Sequence, residues 1–102
     1  MIPKFKHIRS KAIRNAANGE ACTICGLNNG TTVFAHFNES WAGKGIGIKA
    51  DDLAGMFLCN IHHDIYDGRA ISVPPMLDSH VLRAYYRTIR RLFEKGVIKL
   101  AE

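Results

Sequence analysis

A chain of 102 residues, 47% hydrophobic and 23% charged, has the length of one domain (1–102) and the composition of an ordinary soluble protein. No apolar run approaches the length of a transmembrane helix, and the basic start MIPKFKHIRSKAIR lacks the apolar stretch of a secretion signal, so a cytoplasmic setting without membrane contact is expected. The net charge of +5 suggests a polyanionic partner, most simply nucleic acid, and an odd count of three cysteines in a reducing compartment favours a metal site over disulfides.

Residues 9–18, RSKAIRNAAN, read as a short basic helix stopped by Gly19. The loop EACTICGLNNG carries Cys22 and Cys25, with glycine and asparagine permitting tight turns. TTVFAHF, 31–37, is rich in β-branched and aromatic residues and predicts a strand. LAGMFLC, 53–59, predicts a second strand antiparallel to it, across the glycine-rich loop NESWAGKGIGIKADD. NIHHDIYDG then fits a short helix ended by Gly68. After a connection over 70–77, a helix is expected from 78 to 95, capped by Asp78 or Ser79 and stopped before Gly96. Its apolar positions Val81, Leu82, Tyr85, Tyr86, Ile89, Leu92 and Phe93 follow helical spacing, leaving Arg83, Arg87, Arg90 and Arg91 for solvent or for phosphates.

Two pairs of soft ligands stand at knuckle spacing, Cys22-x-x-Cys25 and Cys59-x-x-His62. A hairpin that brings them together supplies the four ligands of a structural Zn²⁺, with His63 able to replace His62. If His62 closes that site, His63 and Asp67 remain. Four residues apart on a helix, they share a face and can hold a second divalent cation with open positions, or simply pair with each other. His36, at the end of the first predicted strand, reads either as a structural histidine or as a general base for activating water.

The order of C-x-x-C, TTVFAH, GIGIKADDL, CNIHHDIYD and EKGVIK resembles the HNH endonucleases of the ββα-metal type and, more narrowly, the small prophage YbcO-type nucleases, over residues 12 to 99. The resemblance implies an α+β fold: a ββα-metal core with a structural zinc knuckle over about 20–68, flanked by the N-terminal helix (9–18) and a longer C-terminal helix (78–95). It implies DNA as the partner, in a phage or prophage setting; the sequence leaves monomer and homodimer both open. His36 matches the general base and His63 a ligand of the catalytic cation, Mg²⁺ or Mn²⁺, while Asp67 sits where related enzymes place a second ligand. Cys22, Cys25, Cys59 and His62 match the structural zinc set. Two departures stand out. Ala35 occupies the place of an aspartate ligand, and the middle asparagine has only Asp52 or Asn38 as positional counterparts.

Lys44 and Lys49 of GKGIGIK would lie near the substrate, with Asp52 and Asn38, in a segment that lacks the P-loop pattern. Lys4, Lys6, Arg9, Lys11 and Arg14 could add sequence-independent phosphate contacts. A zinc-stabilised DNA-binding module without catalysis explains the cysteines and the charge equally well, and an interaction adaptor is a third reading. Neither requires His36, His63 and Asp67 together.

Overall fold

The computed structural model describes residues 6–101. Lys4, one of the expected phosphate contacts, lies outside them. Two strands form an antiparallel hairpin, β1 (Val33–His36) and β2 (Gly55–Leu58), with Phe34 opposite Phe57, Ala35 opposite Met56 and His36 opposite Gly55. Both strands are shorter than expected. The second begins late because Asp51 turns the chain, its carboxylate accepting the Leu53 N–H at 2.8 Å and its carbonyl the Ala54 N–H at 2.9 Å.

Every residue of β2 is buried, since the sheet is covered on both faces. Met56 and Leu58 join Ala35, Phe37 and Ala84 in one cluster, whereas Phe57 packs with Ile13, Ala16, Ala17 and Leu92 in another. The alternation of β2 side chains thus divides the core in two. Gly55 cannot carry a side chain, because a Cβ there would stand 2.5 Å from the Phe34 ring and 2.8 Å from the Ala35 carbonyl oxygen.

The first helix, α1 (Lys11–Asn15), is capped by Ser10, whose hydroxyl accepts the Ile13 N–H at 3.2 Å. It is shorter than the expected 9–18 because bonding tightens to three-residue turns up to Gly19 (φ +80°). α2 (Asn60–Tyr66) follows β2 directly, with Cys59 as its N-cap. The last helix, α3 (Asp78–Glu94), departs from expectation at its start and along its buried face. Leu77, not Asp78 or Ser79, is the N-cap residue, and no side chain caps the helix; Asp78 lies in the first turn, where a carboxylate complements the helix dipole. The fully buried positions are Ala84, Thr88 and Leu92, flanked by half-buried Val81, Tyr85 and Ile89, while Leu82 and Tyr86 face solvent.

Small residues let α3 approach the open edge of β2. There the Thr88 hydroxyl accepts the buried Phe57 N–H at 3.0 Å and donates to the Ala84 carbonyl at 2.9 Å. The Phe57 carbonyl accepts from the N–H and hydroxyl of Thr23, at 2.9 and 2.8 Å, which docks the cysteine loop on the same edge. Arg87 reaches over to the Thr23 carbonyl at 2.9 Å, and Arg91 pairs with Glu20 at 2.6 Å, so two of the four helix arginines serve tertiary contacts. Among the described residues no helix is long and apolar enough to cross a membrane.

Candidate active site and metal cluster

The cysteine loop, held against β2 by Thr23, and the start of α2 bring Cys22, Cys25, Cys59 and His62 together, with one ligand atom of each within 4.8 Å of all the others. Three of the six edges are Cys25 Sγ to Cys59 Sγ at 3.9 Å, Cys22 Sγ to His62 Nδ1 at 3.8 Å and Cys59 Sγ to His62 Nδ1 at 3.5 Å. A tetrahedron drawn from ordinary zinc bond lengths has S–S edges of about 3.8 Å and S–N edges of about 3.5 Å. The four residues therefore fit a metal of that size and softness. His62, not His63, is the fourth member, and it turns Nδ1 to the cluster.

The thiols carry their own sign of this. Burial would raise the Cys22 thiol, but backbone N–H groups of Cys25, Cys59 and Ile24 at its sulfur hold it below the usual range. Burial, with the Cys22 and Cys25 sulfurs adding to it, pushes Cys59 up against a lowering hydrogen bond from the His62 N–H. A divalent cation resolves that conflict by making thiolates favourable together.

On the α1 side of the sheet a cleft of about 270 Å³ is lined by Phe34, His36, Phe37, Asn38, Lys44, Lys49, His63 and Asp67. Six of the residues singled out in the sequence thus meet in one place. His36 is nearly buried, its ring against the edge of Phe34 at 5.0 Å between centroids, and its Nε2 is 2.7 Å from Asp52 Oδ1.

Asp52 corrects the expectation of a substrate contact. Its side chain is 1% exposed, and it holds the back of His36 instead of facing the cleft. The other carboxylate oxygen accepts the Ser10 N–H at 2.7 Å and a bond from Arg14, and Arg9 stands 3.4 Å from Oδ1. Arg9 and Arg14, expected on phosphates, are turned onto this carboxylate because a buried charge requires partners. Burial would raise the Asp52 carboxyl, but the hydrogen bonds from His36, the Ser10 N–H and Arg14 outweigh it and hold it below the usual aspartate range. An ionised carboxylate can only accept, so the His36 proton sits on Nε2 and Nδ1 is left as the basic nitrogen.

His63 and Asp67 meet as the i, i+4 spacing requires, with Nε2 and Oδ2 at 3.1 Å. A hard cation at ordinary bond lengths places neighbouring ligands about 3 Å apart, so this pair fits one edge of its coordination shell. Asn38 donates Nδ2 to Asp67 Oδ1 at 3.0 Å, fixing the carboxylate. Arg69 pairs with both Asp67 (3.1 Å) and Asp64 (2.8 Å), a contact the sequence reading missed although the arginine follows directly on the Gly68 turn. Ala35 is 1% exposed and packs with Met56 and Phe37, so position 35 faces the core and not the cleft.

An α+β hairpin protein with a cysteine–histidine cluster at one end of a short helix and a histidine-centred cleft beside it is the class these features define. Residues 11–97 match the family described as "Putative nuclease YbcO", and the chain belongs to that family. It is similar, at TM-score 0.59 and 26% identity over 83% of this chain and 100% of the other, to a solved structure described as "a putative bacteriophage protein from Escherichia coli str. K-12 substr. MG1655". No curated protein matches it.

Proposed function

We propose that the chain is a metal-dependent endonuclease of the HNH type, hydrolysing phosphodiester bonds in DNA with low sequence specificity, in phage or prophage DNA metabolism. The observation that carries this is the dyad of His36 and buried Asp52, opening on the same cleft as His63, Asp67 and two lysines. The family description and the phage relative support it.

Asp52 accepts from His36 Nε2 and orients the ring, so that Nδ1 can take a proton from water in the cleft. The water oxygen bonds to phosphorus as the bond to the 3′ oxygen breaks, and that oxygen leaves as a hydroxyl once protonated. Lys44 and Lys49 draw the phosphodiester into the cleft and offset its charge. Asn38 holds Asp67 for its part in cation binding. His63 and Asp67 would hold a Mg²⁺ or Mn²⁺ ion, which supplies Lewis-acid stabilisation of phosphate and leaving-group charge. Cys22, Cys25, Cys59 and His62 would hold a Zn²⁺ ion whose part is structural.

Supercoiled plasmid incubated with protein and Mg²⁺ or Mn²⁺ should be nicked. Nicking should stop with EDTA and with His36→Ala, while that variant keeps its circular dichroism and its gel shift on DNA. DNA retained in the gel but never cut by the wild type would give the chain to the non-catalytic binding module. A sharply sequence-specific cleavage pattern would overturn the low specificity.

A further inference from the structure

Beside the cleft lies a second concavity of about 760 Å³, mostly apolar, whose walls include Phe37, Trp41, Tyr66, Leu82 and Tyr85. The hydrolytic chemistry makes no use of it. Its partition from the cleft is one side chain thick. Phe37 lines both, Tyr66 lines the groove while the next residue Asp67 lines the cleft, and the Asn38 N–H donates to the Tyr66 hydroxyl at 3.1 Å.

The rings cluster around Phe37. Phe37 meets Trp41 edge-on at 6.1 Å between centroids and Tyr85 at 5.3 Å. Trp41 and Leu82 are each 69% exposed, an uncovered apolar surface directly beside the proposed reaction centre. The two cavities differ in charge, since the cleft holds two lysines beside Asp67 and the groove lining holds no basic residue. Lys44 and Lys49 line the cleft, whereas the groove carries the carboxylates of Glu39 and Asp78. That difference sorts the parts of a nucleotide. A phosphate is drawn to the lysines and repelled from the groove, while a neutral base brings a π face for the rings and amino hydrogens for the carboxylates.

We infer that the groove binds an unpaired nucleobase next to the phosphate held in the cleft, so that a nucleic acid with an unstacked base, as in a single strand, gap or flap, is preferred over fully paired duplex. A base inside a duplex has both faces covered and reaches Trp41 only after leaving the stack. The inference rests on the nuclease reading for its partner, yet its readout is separate from cleavage.

Trp41 is the sole tryptophan of the chain, so its emission reports on the groove alone. Wild-type protein, without added divalent cation, would be titrated with a short single-stranded oligonucleotide and with the blunt duplex of the same sequence. Quenching should saturate with the single strand at concentrations about tenfold below those for the duplex, the size of one base–aromatic stack. With Mg²⁺ or Mn²⁺ present, Trp41→Ala should raise KM for a gapped substrate by about as much while kcat changes little, and Trp41→Phe should restore it.

Equal quenching by both probes, no quenching, or an unmoved KM in Trp41→Ala overturns the inference. So does concentration-dependent dimerisation abolished by Leu82→Arg without oligonucleotide quenching, which would give the groove to a second copy of the chain. Selective quenching without any cleavage keeps the base site and removes the nuclease. Cleavage without quenching removes the base site alone.

Discussion

The buried carboxylate of Asp52 ties stability and chemistry to a single residue. It binds one fewer proton in the folded chain than in the unfolded chain at pH values between its lowered folded pKa and the ordinary range near 4. Stability should therefore be fully present above that range and be lost as pH falls through the folded value. Asp52→Asn should flatten this acid limb when denaturation midpoints are followed from neutral to acid pH. It should also let His36 take the wrong tautomer, lowering the cleavage rate by about two to four orders of magnitude while gel-shift affinity holds. At Asp67, Arg69 supplies positive charge where a cation would sit. Arg69→Gln should lower the Mg²⁺ or Mn²⁺ concentration giving half-maximal nicking, read by metal titration; an unchanged midpoint would show that the arginine does not compete.

At the scale of elements, the hairpin depends on two close fits. Thr88→Val keeps the shape of the side chain but leaves the buried Phe57 N–H without its acceptor, which should cost about 1–3 kcal/mol in urea denaturation. Gly55→Ala should cost about as much through overpacking, because the methyl group displaces the Phe34 ring that packs on His36. The elements themselves were largely legible. β-Branched and aromatic composition located the first strand, with the second read antiparallel to it; the Gly68 stop marked α2, helical spacing marked α3, and the paired ligand spacings anticipated the cysteine–histidine cluster. The misses that bear most on the site and the core depend on contacts between segments distant in sequence. Nothing local to ADD says that Asp52 is buried 38 residues from Arg14, and it is this burial that turns a substrate candidate into the support of His36. Likewise the alternation of large apolar residues in α3 cannot show that Ala84 and Thr88 form its seam, since their small size matters only once the edge of β2 lies against them.

For the molecule as a whole, the cysteine loop is the clasp between the two halves of the core. Cys22 and Cys59 are buried with Ala35, Met56 and Leu58, Thr23 seals the β2 edge, and Arg87 ties that loop to α3. Purified protein should contain one tightly held Zn²⁺ per chain by elemental analysis. Its removal by a strong chelator, or Cys59→Ser, should abolish cooperative thermal unfolding, because metal affinity and folding are one equilibrium in so small a domain. A chelated chain that melts unchanged would show that the cluster is dispensable.

His62 and His63 are consecutive, so about 100° of helix rotation separates a ligand of the clasp from a ligand of the proposed catalytic cation. Whatever fixes one azimuth fixes the other. On the proposed reading, a newly made chain matures in a set order: zinc capture first, cutting competence after.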